Sequence, residues 1–234
     1  MKNQKTVRKI LTGCILFLLI PAVIALGVWL LRDRKYNLIS MAVALLSCVP
    51  FFVRYEKGKN SARETVVIAV MTAFSVVGRL IFTPIPGFKP VSAVTIITGI
   101  ALGPEAGFLV GSLSAIVSNI FFGQGPWTPF QMFVWGMIGF LSGVIFRKRE
   151  KPNKILLCTV GALSGVLFSL VMDIWTTLTI DGGFLPSRYL AAIVSALPFM
   201  VVYAASNVIF LLILTKPFLE KLNRLKIKYG IGEQ

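Results

Sequence analysis

The feature that most constrains this chain is a series of long apolar runs interrupted by basic clusters and Gly/Pro pairs. The first run, Ile10 to Leu31, has no charged residue until Arg32 and is long enough to cross a bilayer as a helix. Its small-residue cleavage pattern is weak for a signal peptide, so we read it as a retained helix. Runs of this kind recur along all 234 residues. With 56% hydrophobic residues, 14% charged residues and a mean hydropathy of +0.82, the chain is too apolar for a water-soluble domain. An all-α polytopic membrane protein is the expected fold class.

Punctuation by Gly, Pro and charge predicts eight helices, near 10–31, 37–53, 64–83, 91–103, 105–122, 129–146, 154–178 and 189–215. The fourth is short and stopped by Gly103-Pro104, so it is not expected to span as a full straight helix. The organisation read from this is an N-terminal transmembrane hairpin (1–60), a six-helix core (61–222) and a basic tail (223–234).

The net charge of +15 invites a polyanion partner, but the placement of the charges explains it without one. The segments 2–9, 54–63, 147–154 and 216–228 together hold 18 Lys and Arg. The alternate loops hold only five, namely Arg32, Arg34, Lys35, Lys89 and Arg188. The excess of Lys and Arg marks the cytoplasmic side, so both termini are expected there. The tail 216–228 is expected to rest on anionic headgroups. The loops 84–90, 123–128 and 179–188 then face outward, in the cell membrane.

Chemistry is limited by what is missing. The sequence contains no His, which removes imidazole acid–base catalysis and histidine metal ligation. No G-x-x-x-x-G-K-[ST] phosphate loop is present. Cys14, Cys48 and Cys158 lie far apart in apolar stretches and read as packing residues. Asp173 is the only deep acid, and its neighbour Asp181 lies in a loop. An intramembrane enzyme therefore lacks paired carboxylates. A self-sufficient secondary transporter would show paired broken helices, and only Gly103-Pro104 breaks one.

Polar side chains within spans need a partner or a wet cavity. Arg79 lies about four residues, roughly 6 Å, below the outer end of its helix. Asp173, Asn119 and Gln131 fall at similar depths on three other helices, which points to an outward-facing cavity. Each also has a plainer reading. Arg79 can snorkel to headgroups or pair with Asp173, and Asn119 can join two helices. Trp127 can belong to the interfacial belt. Spacing adds two polar stripes, Thr72-Ser75-Arg79 and Gly165-Ser169-Asp173, and a ladder of Trp127, Gln131 and Trp135. Such a ladder suits a flat, partly apolar ligand. With Gln124 and Trp175, these residues form the candidate binding set. Thr128-Pro129-Phe130-Gln131 reads as a capping box, and Glu105 after Pro104 as ordinary helix-start chemistry. Gln124 and Trp127 have no such structural reading.

Small-xxx-small pairs are frequent: Ala69/Ala73, Gly99/Gly103, Gly107/Gly111, Gly139/Gly143 and Gly161/Gly165. They allow close backbone approach. Ala69 and Ala73 lie about 80–120° around their helix from the Thr72-Ser75-Arg79 stripe.

From about Arg63 to Leu222 the chain resembles the substrate-binding S components of energy-coupling factor (ECF) vitamin transporters. The likeness rests on the six-helix layout, Ala69-x-x-x-Ala73, ITGIALGPEAGFLVG at 97–111 and FFGQGPWTPFQMFVWGMIGF at 121–140. The GQGPWTPFQ stretch is similar to S components assigned to cobalamin and related corrinoids; another vitamin such as riboflavin is the alternative. The resemblance implies high-affinity vitamin binding near the outer face and docking on a shared transmembrane scaffold subunit. It further implies two cytoplasmic ATPase subunits and tipping of the S component in the membrane. It assigns docking to Ala69 and Ala73, with Gly99, Gly103, Gly107 and Gly111 as neighbours by location. No cofactor is implied. The helices before residue 60 depart from the compact family pattern.

Overall fold

The computed structural model describes residues 10–31, 61–147, 152–181 and 184–229, with Ala42, Val43, Leu46 and Val49 between them. The described residues are helical and contain no strand. Helix α1 (Ile20–Leu31) continues from a π-helical stretch, Ile15–Leu19. The Ile20 amide donates to the Ile15 carbonyl. The wider turn stands directly before Pro21, which cannot donate to the ladder; such π-turns accommodate breaks inside helices. Ile15, Leu16, Ile20 and Ile24 are buried, and α1 leans on the core through an edge-to-face contact of Phe17 with Phe140. Most of the expected second arm, 37–53, lies outside the described residues, as does Cys48. Cys14 and Cys158 are free thiols.

The core comprises α2 (Ser61–Ile81), α3 (Val91–Leu102), α4 (Pro104–Phe122), α5 (Thr128–Ile145), α6 (Lys154–Asp181) and α7 (Pro186–Tyr229). Among the described residues, six helices, counting the N-terminal one, are long and apolar enough to cross a membrane. The protein is a multi-pass membrane protein. Helix α3, at 12 residues, is the exception, and nearly all of it is buried among its neighbours. Gly103 ends it with φ of 101°, a conformation that favours glycine. Pro104 then starts α4 with Glu105 in its first turn, as expected.

Helices α3, α4 and α5 meet almost backbone to backbone. A β-carbon at Gly99 would run into the Gly139 carbonyl, one at Gly107 would sit 2.6 Å from that same oxygen, and one at Gly111 would strike the Trp135 carbonyl. This corrects the expectation that Gly99, Gly107 and Gly111 extend a docking face. They are buried against α5 of their own chain. Gly103 is half-buried and is used by the α3–α4 joint. Ala69 and Ala73, in contrast, are exposed on α2 beside Val66, Val70 and Val77, while Ile68, Met71, Thr72, Ser75 and Arg79 turn inward. The two faces inferred from helical spacing are therefore present.

Helix α7 corrects a second boundary. Its 44 residues run past the expected end at 215 and through Pro198 and Pro217 to Tyr229. Burial of Leu219 and Leu222 holds the extension to the core. Lys226 Nζ caps α3 by donating to the Ala101 carbonyl at 2.9 Å, a favourable place for a cation. Much of the segment read as a headgroup-bound tail is thus helix packed on the bundle.

Candidate functional site

A continuous polar network crosses the bundle at the Arg79 end. Arg79 Nη1 donates to Ser118 Oγ and, at 2.8 Å, to Asn119 Oδ1. Asn119 Nδ2 in turn donates to Thr128 Oγ1 and Gln131 Oε1, both at 2.9 Å. Thr128 Oγ1 donates to Gln124 Oε1 at 3.1 Å, and Gln124 Nε2 donates to the Ile116 carbonyl at 2.8 Å. Buried amides and guanidinium groups must find such partners in an apolar medium.

The network revises several sequence expectations. The capping box does not form: the helix is entered through Trp127 with no side-chain cap. Gln131 accepts from Asn119 and Thr128 is occupied by Asn119 and Gln124, so neither serves a box. Gln124 has a structural duty after all, closing the end of α4 onto the start of α5. Asn119 is fully buried, with both amide atoms engaged. Asn119, Gln124 and Gln131 are the frame that positions Arg79; the amide groups of Asn119 and Gln124 and the Gln131 Oε1 are engaged inside the fold. Gly123, with φ of 90°, makes the turn they surround.

Rings form the second layer. Trp135 is buried and stacks on Phe168, with centroids 5.2 Å apart and planes 13° apart. The Arg79 guanidinium carbon lies 5.2 Å from the Trp135 ring and 4.5 Å from Phe122. Such contacts favour a desolvated cation. Trp127 meets Trp175 edge to face at 5.6 Å, so two of the candidate tryptophans come together. The Trp127-Gln131-Trp135 ladder exists as spacing, but its three members have different neighbours.

Asp173 is buried and does not pair with Arg79 among the described salt bridges and hydrogen bonds. Its Oδ2 and the Trp175 indole nitrogen have no hydrogen-bond partner among the described residues. Buried polar atoms of this kind are uncommon and call for an explanation.

Sequence reasoning missed Lys89 and Tyr203. Counted as a loop charge, Lys89 instead folds inward. Its amide donates to Ser206 Oγ at 2.9 Å, and Ser206 Oγ donates back to the Lys89 carbonyl at 3.1 Å. Its ammonium lies 5.4 Å from the Tyr203 ring and 5.9 Å from Phe168. Burial, aided by the Arg79 charge, lowers its pKa to about 8. The available signal was local: Pro84, Pro86, Gly87 and Pro90 confine a loop that cannot stray far. Gly78 completes the return, since a β-carbon there would collide with the Pro90 ring. Lys89, Ser92, Trp135, Phe168, Tyr203 and Asn207 surround a small cavity of about 10 Å³, room for about one water-sized sphere.

These features, a buried Arg79 and a half-buried Lys89 beside stacked rings at one end of a membrane bundle, suit recognition of a small aromatic solute. Residues 59–224, more than half of the chain, match the family described as ECF-type riboflavin transporter, S component. The chain belongs to this family of ECF S components. Its members are substrate-binding components of transport. A UPF0397 protein of Aliivibrio salmonicida is 30% identical over 130 residues, covering 48% of this chain and 70% of the relative. A UPF0397 protein of Vibrio atlanticus is 29% identical over 162 residues, covering 64% and 81%. No solved structure matches. The narrower likeness to cobalamin-type S components finds no support in these comparisons, and the name of the matched family points to riboflavin.

Proposed function

We propose that this S component binds a flat, conjugated vitamin, of which riboflavin is the type, at the Lys89–Arg79 end of the bundle. That end faces outward, both termini are cytoplasmic, and a scaffold subunit with two ATPase subunits drives delivery inward. The observation that carries the substrate class is the stacked Trp135–Phe168 pair flanked by the Arg79 and Lys89 cations. Planar aromatic faces favour a planar ligand. A corrinoid is the weaker reading, because the polar side chains of the GQGPWTPFQ stretch that suggested it are used within the fold.

The test is to purify the protein from its native membrane and record the absorption of whatever accompanies it. A flavin-like spectrum is expected; a corrinoid spectrum would overturn the flat-vitamin class. Docking is tested separately. Ala69 and Ala73 form a smooth exposed strip with Val66, Val70 and Val77, and we assign the scaffold contact to it. Ala69→Trp with Ala73→Trp is expected to reduce uptake at least tenfold and leave ligand affinity of the isolated protein unchanged. Unimpaired uptake would remove the assignment.

A further inference from the structure

Resting on the reading above, we propose that the vitamin carries an anionic group, a carboxylate or a phosphate, and that the Lys89 ammonium receives it. The stacked pair Phe168–Trp135 has a cation against each ring: Lys89 on Phe168 and Arg79 on Trp135. The two cations differ in what they have left to offer. Arg79 commits Nη1 to Ser118 and Asn119, and the residue does not border the cavity. Lys89 borders it and meets only the Phe168 and Tyr203 rings through its ammonium among the described contacts. An ammonium has three donors, and ring faces alone replace little of its lost hydration.

The surrounding charge has the matching sign. The ionisable groups facing this region are Arg79 from α2, Tyr203 from α7 and Asp173 from α6. Arg79 acts electrostatically on both Lys89 and Tyr203, whereas Asp173 acts on Tyr203. No acid is paired with Lys89 among the described residues. A second positive charge held rigidly nearby raises the potential at Lys89. A single anionic oxygen in the place of one water would meet the Lys89 ammonium directly, with the Arg79 charge acting from outside the cavity. A neutral ligand would leave two like charges close together and largely shielded from water, an unfavourable arrangement.

Two pairs of flat vitamins that differ by one anionic group provide the test. They are flavin mononucleotide against riboflavin, and nicotinate against nicotinamide, titrated onto the purified full chain in lipid nanodiscs. For at least one pair, the anionic member is expected to bind about 10- to 100-fold more tightly at pH 7, the worth of one charge-assisted contact. That preference should vanish in Lys89→Gln and persist in Lys89→Arg. It should also shrink as pH rises above about 8, where the free ammonium loses its proton. Neutral members that bind as tightly as their anionic partners in every pair that binds overturn the inference and leave the flat-vitamin reading standing. A preference unchanged in Lys89→Gln overturns the role of Lys89. Binding of neither pair counts against the flat-vitamin reading and the inference together.

Discussion

Gly139→Leu is expected to abolish folding into a monodisperse protein, and Gly139→Ala to lower stability by about 2–3 kcal/mol, near the upper range for overpacked cores. The Gly139 α-carbon faces the Gly107 backbone, with the Thr95 methyl 2.6 Å from where a β-carbon would stand. Flexible side-chain ends can move aside; two helix backbones cannot, because each is locked by its own hydrogen bonds. Without solvent to drive association, close packing carries much of helix adhesion in a membrane. Separating α3 and α4 from α5 therefore costs contacts along all three. Gly13→Leu is the control, since its β-carbon would meet nothing within 4 Å. Thermal unfolding in one detergent reads both. An unchanged midpoint for Gly139→Ala would show that the three backbones are not in close contact.

The second large effect concerns Arg79. Arg79→Ala removes the donor to Ser118 and Asn119 and leaves the Asn119 carbonyl oxygen without its charged partner. Ser118 is the lesser loss, because its hydroxyl already donates to the Ser114 carbonyl at 2.5 Å. Stranding one buried acceptor costs about 1–3 kcal/mol, whereas an ordinary interhelical pair in a membrane averages only about 0.6 kcal/mol. The stranded acceptor should dominate, so we expect a destabilisation of about 2 kcal/mol and loss of copurified ligand. Arg79→Lys keeps the charge and enough donors for both acceptors, but it is shorter and loses the planar guanidinium that lies against the Phe122 and Trp135 rings. It should recover less than half of the stability. Full recovery by lysine would mean that charge alone, not the network geometry, matters at this position.

The sequence carried the helices well because hydrophobic runs and Gly/Pro breaks are local signals. Even the short α3 was legible from Gly103-Pro104. The end of α7 was not. Lys216-Pro217 looks like a stop, yet the helix continues because Leu219 and Leu222 find a core surface that no local pattern announces. Small-residue spacing had the same blind spot. It reveals that some backbone comes close at Gly99, Gly107 and Gly111, but not that the backbone belongs to the same chain. The candidate site divides along this line. Arg79, Asn119, Gln131, Trp135 and Asp173 stood out because polarity or bulk inside a span is costly or conspicuous. Lys89 did not, since charge in a loop is cheap and only the three-dimensional return of 84–90 makes it expensive. Gln124 and Gln131 were misread in opposite directions: one lacked a structural reason in the sequence and has one, the other had a capping reason and does not use it.

Helix α2 presents Arg79 to the buried network and Ala73 to the outside, six residues apart and so about 9 Å along a single rigid rod. Whatever grips one face must feel what happens at the other. If occupation of the Lys89 cavity shifts α2 and thereby strengthens its hold on a scaffold by some factor, the scaffold must strengthen the hold on the vitamin by the same factor. Release would then require an input of energy that breaks this mutual reinforcement. Two measurements, ligand affinity with and without scaffold and scaffold affinity with and without ligand, must return one coupling constant.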